Sequence, residues 1–165
     1  MAVTNNVLRM LDSKKIKYEA FELPPEKLGA LETAELLHLP AEIVYKTIVV
    51  TRGTKKPLLC VIPGPHEVDL KRVADFCGEK KVHLPTQKEA EALTGLLAGG
   101  ISPLALINKG FTVVIDASAQ QYPAIHISGG QRGLNIKLPV QDLAKLTGAR
   151  FAFIASAAAE NSEQG

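Results

Sequence analysis

Val44-Tyr45-Lys46-Thr47-Ile48-Val49-Val50-Thr51 runs through Arg52-Gly53-Thr54-Lys55-Lys56-Pro57 into Leu58-Leu59-Cys60-Val61-Ile62. Both flanking runs are rich in β-branched and apolar residues, and the segment between them is polar and carries glycine. The pattern predicts two strands, Val44 to Thr51 and Leu58 to Ile62, joined as a hairpin. Alternation places Lys46 on one face with Ile48 and Val50, and Tyr45, Thr47 and Val49 on the other. A lysine sharing a face with branched apolar residues either snorkels to solvent at the rim of a sheet or points into a polar pocket. In a pocket it supplies a compact positive charge for a phosphate or a developing oxyanion.

Toward the N-terminus, Thr4 is placed to cap a helix with Val7, Leu8 and Leu11 on one face. A strand is expected over Ile16 to Leu23, ended by Pro24-Pro25, and a short helix over Leu31 to Leu37. Beyond the hairpin, Asp69 caps a helix over Leu70 to Cys77, with Gly78 in the left-handed position that follows it. Lys81 to Leu84 reads as a brief strand. Thr86-Gln87-Lys88-Glu89 is a capping box for a helix closed by Gly95. Strands follow at Phe111 to Asp116, Ala124 to Ser128 and Leu134 to Leu138. A helix over Asp142 to Leu146, with Asp142 as its cap, is ended by Gly148, and Arg150 to Ile154 forms a last strand. From Ala155 onward an Ala-rich and then polar stretch offers no core face and is expected to fray.

This order of hairpins and unequal helices lacks a regular βαβ alternation. It predicts an α+β fold: a mixed, mostly antiparallel sheet, curved or barrel-like, surrounded by helices. With 165 residues and no linker or repeat, one domain over residues 1–155 is expected, with 156–165 as a flexible tail.

Several function classes fall away. The 19 basic and 17 acidic residues leave a net charge of +2, which neither demands nor forbids a nucleic-acid partner. No apolar run reaches the ~20 residues that span a bilayer. Met1-Ala2-Val3-Thr4-Asn5-Asn6 lacks the basic-then-apolar pattern of a secretory signal, so a reducing, cytoplasmic location without membrane contact is expected. Cys60 and Cys77 lack CxxC spacing and read as buried hydrophobes. His38, His66, His83 and His126 show no metal-ligand spacing, so no metal or cofactor is expected.

Two glycine-bearing loops carry the remaining chemistry: Gly99-Gly100-Ile101-Ser102-Pro103 and Ser128-Gly129-Gly130-Gln131-Arg132-Gly133. Each is either an architectural turn or a set of backbone N–H donors for an anionic or strongly polar ligand. Neither has the spacing of a Walker loop or a dinucleotide fingerprint. Ser102 lacks the GxSxG elbow of a nucleophilic serine. Asp69 and Asp142 are explained by capping, which leaves Asp116 as the one candidate acid or base, against a role in its turn. A catalyst built from these parts works by positioning and backbone electrostatics.

Val44-Tyr45-Lys46-Thr47, Thr94-Gly95 through Gly99-Gly100-Ile101-Ser102-Pro103-Leu104, and Ser128-Gly129-Gly130-Gln131-Arg132-Gly133-Leu134, in that order, resemble the YbaK/EbsC family. These are free-standing relatives of the editing domain of bacterial prolyl-tRNA synthetase. The resemblance runs from the first helix to about Phe153. It implies an aminoacyl-tRNA deacylase that clears mischarged tRNA in trans, typically Cys-tRNA(Pro), with prolyl-tRNA synthetase as a possible partner. It assigns catalysis and tRNA 3′-end binding to Lys46. It assigns the aminoacyl pocket to Gly99, Gly100, Ile101, Ser102 and Pro103, with Ser128, Gly129, Gly130, Arg132 and Gly133 beside it. The substrate's own thiol then attacks its ester. The alternatives are a water-based deacylase for Ala-tRNA(Pro) or another small aminoacyl group, and a non-catalytic tRNA-binding module. The chain departs from many relatives at Leu96, Ala105 and Asn135, where they carry an aromatic, a glycine and an acid.

Overall fold

The computed structural model describes residues 5–156. Helix α1 (Asn6–Ser13) is capped by Asn5, whose side-chain oxygen accepts the Leu8 N–H at 2.9 Å. Thr4, expected in that role, lies outside the described residues. Val7, Leu8 and Leu11 are buried. Strand β1 (Glu19–Glu22) is shorter than expected, because the turn after α1 holds Ile16 through its N–H to the Leu11 carbonyl, with Lys15 at φ +57°.

Helix α2 (Ala30–Leu36) precedes the hairpin, β2 (Tyr45–Arg52) and β3 (Lys55–Pro63), which pairs as its sequence demands. Helix α3 (Leu70–Cys77) has the Asp69 cap and Gly78 at φ +73°. Helix α4 (Gln87–Thr94) has the Thr86–Glu89 capping box and Gly95 at φ +73°. A 3-10 turn at Pro103–Leu106 leads to β4 (Thr112–Asp116), β5 (Ala124–Ser128), β6 (Leu134–Pro139), α5 (Val140–Thr147) and β7 (Arg150–Ala152).

Two local expectations change. Lys81 to Leu84 is no strand: His83 makes a single bridge to Thr51. The ladder shifts register between Val50 and Arg52, which turns the backbone groups of Thr51 outward to His83. Asp142 lies within the first turn of α5 instead of capping it, since Pro139 ends β6 and opens the helix directly. Its charge still faces the positive end of the helix.

The strands form two sheets rather than one. A three-stranded sheet has the order β1-β6-β5, antiparallel throughout. A four-stranded sheet has the order β2-β3-β4-β7, with β2–β3 antiparallel and β3–β4 and β4–β7 parallel. One parallel bridge, Val44 to His126, links them without closing a barrel. Strand β3 is buried on both faces from Pro57 to Pro63, which fits its unbroken apolar run. Leu59 and Val61 face the larger core with Tyr45, Val49 and Ile115. Leu58, Cys60 and Ile62 face a second core with Val50, Val73 and Ile154. Burial there pushes the Cys60 thiol up to about 12, so it behaves as a hydrophobe.

The C-terminal end is tied down further than expected. Ser156 N–H donates to the Glu67 carbonyl at 2.8 Å, and the Ser156 carbonyl meets the His66 ring. The rest of the expected tail lies outside the described residues.

Candidate functional site

The two glycine loops and the start of β2 meet at one end of the paired sheets. Gly100 packs so tightly on the second loop that an added Cβ would lie 2.9 Å from both the Cα and the carbonyl carbon of Gln131. Arg132 ties the loops from the other side, its Nε donating to the Ala98 carbonyl at 2.7 Å. Asn5 Nδ2 donates to the Gly129 carbonyl, and Leu23 N–H to the Gly133 carbonyl. The loops are therefore one rigid wall.

That wall closes a cavity of about 220 Å3. Lys46, Gly99, Ile101, Ser128 and Gly133 line it. The other predicted residues stand behind it. Gly100 and Gly129 are packing points, and a Cβ on Gly129 would overlap Leu134. Gly130 sits at φ +94° and takes its turn with the Ser128 hydroxyl as acceptor at 3.3 Å. Ser102 is 0% exposed, and its hydroxyl accepts the Leu104 N–H to open the 3-10 turn, with Pro103 buried after it. Arg132 spends its Nε–H on the Ala98 carbonyl and is not among the residues that line the cavity. The departures Leu96 and Ala105 pack against the larger core, and Ala105 with Val7 is what a Cβ on Gly130 would meet.

Lys46 resolves in favour of the pocket. It is half-buried, and Nζ donates to the Gly64 carbonyl at 3.0 Å. Gly64 has no room for a side chain, since a Cβ would lie 2.9 Å from that of Ala30 and 3.0 Å from the Val44 carbonyl. Burial pushes the Lys46 ammonium below its ordinary value, and the charge of Glu67 opposes that shift.

Sequence reasoning missed much of the opposite wall. Leu23, Glu26, Leu28 and Gly29, from the segment entering α2, and Thr33 within that helix line the cavity, as do Thr47 and Asn135. Gly64 escaped as well. Ordinary residue types in an unremarked loop offer no pattern to read.

Asp116 is structural. It is 4% exposed, Oδ1 accepts the N–H groups of Ile154 and Ala155 at 2.9 and 3.0 Å, and Oδ2 accepts that of Ser118 at 3.2 Å. Asp116→Ala is expected to cost roughly 3 kcal/mol by orphaning these donors while leaving turnover per folded molecule unchanged. Urea unfolding beside a rate assay checks both, and a slowed but fully folded variant would return Asp116 to the mechanism. Tyr45 also lines the cavity, but its hydroxyl bonds Ser118 Oγ at 2.8 Å, and burial pushes it up to about 12. Among the described residues no His/Cys/Asp/Glu group could hold a metal ion, and no helix is long and apolar enough to cross a membrane.

The cavity lining thus offers one cation (Lys46), one carboxylate (Glu26), backbone, hydroxyls and an amide, and none of those hydroxyls is hydrogen-bonded to a His, Asp or Glu side chain among the described residues. At about 220 Å3 it is smaller than the ~300–1,000 Å3 of usual small-molecule sites.

Residues 25–146 match the family model of the aminoacyl-tRNA editing domain. An Enterococcus faecalis protein provisionally named Cys-tRNA(Pro)/Cys-tRNA(Cys) deacylase EbsC is 37% identical over 151 residues, 90% of this chain and 92% of that one. A proline–tRNA ligase of Trichlorobacter lovleyi is 28% identical over 82 residues, 50% of this chain and 14% of the ligase. A crystal structure described provisionally as a trans-editing enzyme for prolyl-tRNA synthetase shares the fold, with a TM-score of 0.78 at 22% identity over 94% of this chain and 100% of that one.

Proposed function

The chain belongs to the aminoacyl-tRNA editing domain family, and from that premise we propose that it hydrolyses mischarged Cys-tRNA(Pro) in trans by substrate-thiol-assisted cleavage. The observation that carries this reading is a small cavity with one lysine, Lys46, and no hydroxyl paired with a side-chain base among the described residues. An aminoacyl ester is already activated, so orientation and charge stabilisation suffice. The cysteine sulfur attacks its own carbonyl carbon and a C–S bond forms. The bond from that carbon to the ribose oxygen breaks, and the thiol proton passes to the departing oxygen. The products are deacylated tRNA and a cyclic thiolactone, which water opens to cysteine.

Lys46 and the backbone donors of Gly99 and Ile101 surround the carbonyl oxygen in this reading. The remaining glycines of both loops, with Ser102, Pro103 and Arg132, hold those groups in place. The tRNA itself is read elsewhere, with prolyl-tRNA synthetase as the partner that supplies tRNA(Pro) in the cytoplasm.

The test is a single-turnover time course on Cys-tRNA(Pro), its S-methylated form, Ala-tRNA(Pro) and Pro-tRNA(Pro). Cysteine is expected to be released selectively, and S-methylation to abolish release. Unimpaired hydrolysis of the S-methylated ester excludes the thiol step. Preference for alanine keeps the deacylase and makes water the nucleophile. Binding of tRNA without release from any substrate leaves a non-catalytic module.

A further inference from the structure

The cavity wall formed by β5 and β6 carries a buried polar pair that the ester chemistry above leaves unused. His126 and Asn135 are 2% and 5% exposed. The imidazole Nδ1 meets Asn135 Oδ1 at 2.9 Å. Asn135 pairs across the sheet with Phe21 on one side and Ser128 on the other, and His126 pairs with Lys137, so all share one face. The Phe21 ring leans on the imidazole with centroids 5.4 Å apart.

An oxygen acceptor at this contact requires a hydrogen on Nδ1, and a neutral imidazole has one donor and one acceptor nitrogen. The tautomer therefore dictates which end of the carboxamide turns away from the ring. With Oδ1 taken, Asn135 Nδ2 has no acceptor among the described residues. Asn135 lines the cavity, and no solvent-inaccessible side-chain nitrogen or oxygen of the described residues lacks a partner. Nδ2 accordingly opens into the cavity, where a ligand that excludes water must offer it an acceptor or leave it unpaired.

We infer that His126 is a positioning residue whose Nδ1–H holds the Asn135 carboxamide so that Nδ2–H donates to the carbonyl oxygen of the bound aminoacyl ester, on the same cavity as Lys46. This rests on the deacylase reading of the cavity. Burial keeps His126 below its ordinary value, with the Asn135 bond opposing. Lys137 on β6 lowers it further, and Glu19 on β1 raises it. Because Nδ1 donates in both the neutral and the protonated ring, the carboxamide keeps its orientation on acidification.

Two readouts test the inference on the full-length protein. Nitrogen-15 NMR of the histidine side chains is expected to show His126 neutral at pH 7, with the proton on Nδ1. A proton on Nε2 overturns the inference, because the carboxamide then presents its oxygen. In deacylation assays Asn135→Asp, which keeps the shape and removes the donor, is expected to lower kcat about 10²-fold with little change in KM. His126→Phe is expected to lower kcat as well, and His126→Gln, which retains an N–H donor, to restore most of it. Unchanged kcat in Asn135→Asp overturns the inference. Should His126→Phe fail to fold, the tautomer and Asn135→Asp decide. A wild-type protein that releases no amino acid overturns the ester assignment, and the tautomer tells that failure from a failure of positioning.

Discussion

Lys46→Ala is expected to slow single-turnover deacylation by about 10²–10³-fold while changing stability by no more than about 1 kcal/mol. The two effects separate because Lys46 sits half-buried with Nζ on the Gly64 carbonyl. Its removal opens no core cavity, yet takes from the cavity the cation that the proposed mechanism sets at the carbonyl oxygen. Lys46→Arg is expected to recover little, since a planar guanidinium cannot replace a compact ammonium in a cavity of about 220 Å3. A variant that retains its rate removes Lys46 from the mechanism.

The lowered value of the Lys46 ammonium adds a pH dependence whose sign follows from linkage. With the folded value below the unfolded one, the unfolded chain binds the extra proton between the two. This contribution to stability therefore rises with pH through that window and is constant below it. The deacylation rate moves oppositely. If the ammonium is the working form, the rate corrected for spontaneous ester hydrolysis falls as pH rises through the folded value. A corrected rate that continues to climb there makes the neutral amine, acting as a base, the working form.

How much of this was legible in the sequence depended on the range of the interaction. The hairpin, the Asp69 and Thr86 caps and the glycines after α3, α4 and α5 are written within a few residues, and all stand in the fold. The pairing of β6 between β1 and β5, and the parallel run of β3, β4 and β7, are settled by packing across the chain. One expected sheet accordingly became two. Asp116 shows the same limit: its turn role with Ser118 is local and was readable, but its bonds to Ile154 and Ala155, 38 and 39 residues away, were not. In the site, Lys46 and the glycine loops were visible because lysine among branched residues and paired glycines are unusual. Leu23, Leu28 and Thr33 were not, because nothing in their residue types distinguishes a cavity wall from any other loop or helix face.

A large loss of stability is also expected at Gly100. The sequence reads Gly78 as a left-handed helix stop and Gly100 as part of a turn or donor loop, and the structure gives the two glycines different causes. Gly78 lies at φ +73° with nothing near an added Cβ, so Gly78→Ala pays the left-handed penalty alone, about 1 kcal/mol. Gly100 has no such backbone demand, and its added Cβ would meet Gln131 Cα and carbonyl carbon at 2.9 Å and Arg132 N at 3.0 Å. Those are backbone atoms, which cannot rotate away as a side-chain tip can. Gly100→Ala is therefore expected to cost about 2–4 kcal/mol by forcing the two loops apart. The displacement carries Gly99 and Ile101 from the cavity and weakens the Arg132–Ala98 bond, so the folded fraction is also expected to deacylate slowly. Urea unfolding of both variants, with rates measured below the transition, tests the pair. Equal costs for the two alanines would mean that the loops yield to one methyl group, and the rigid wall behind the cavity would have to be abandoned.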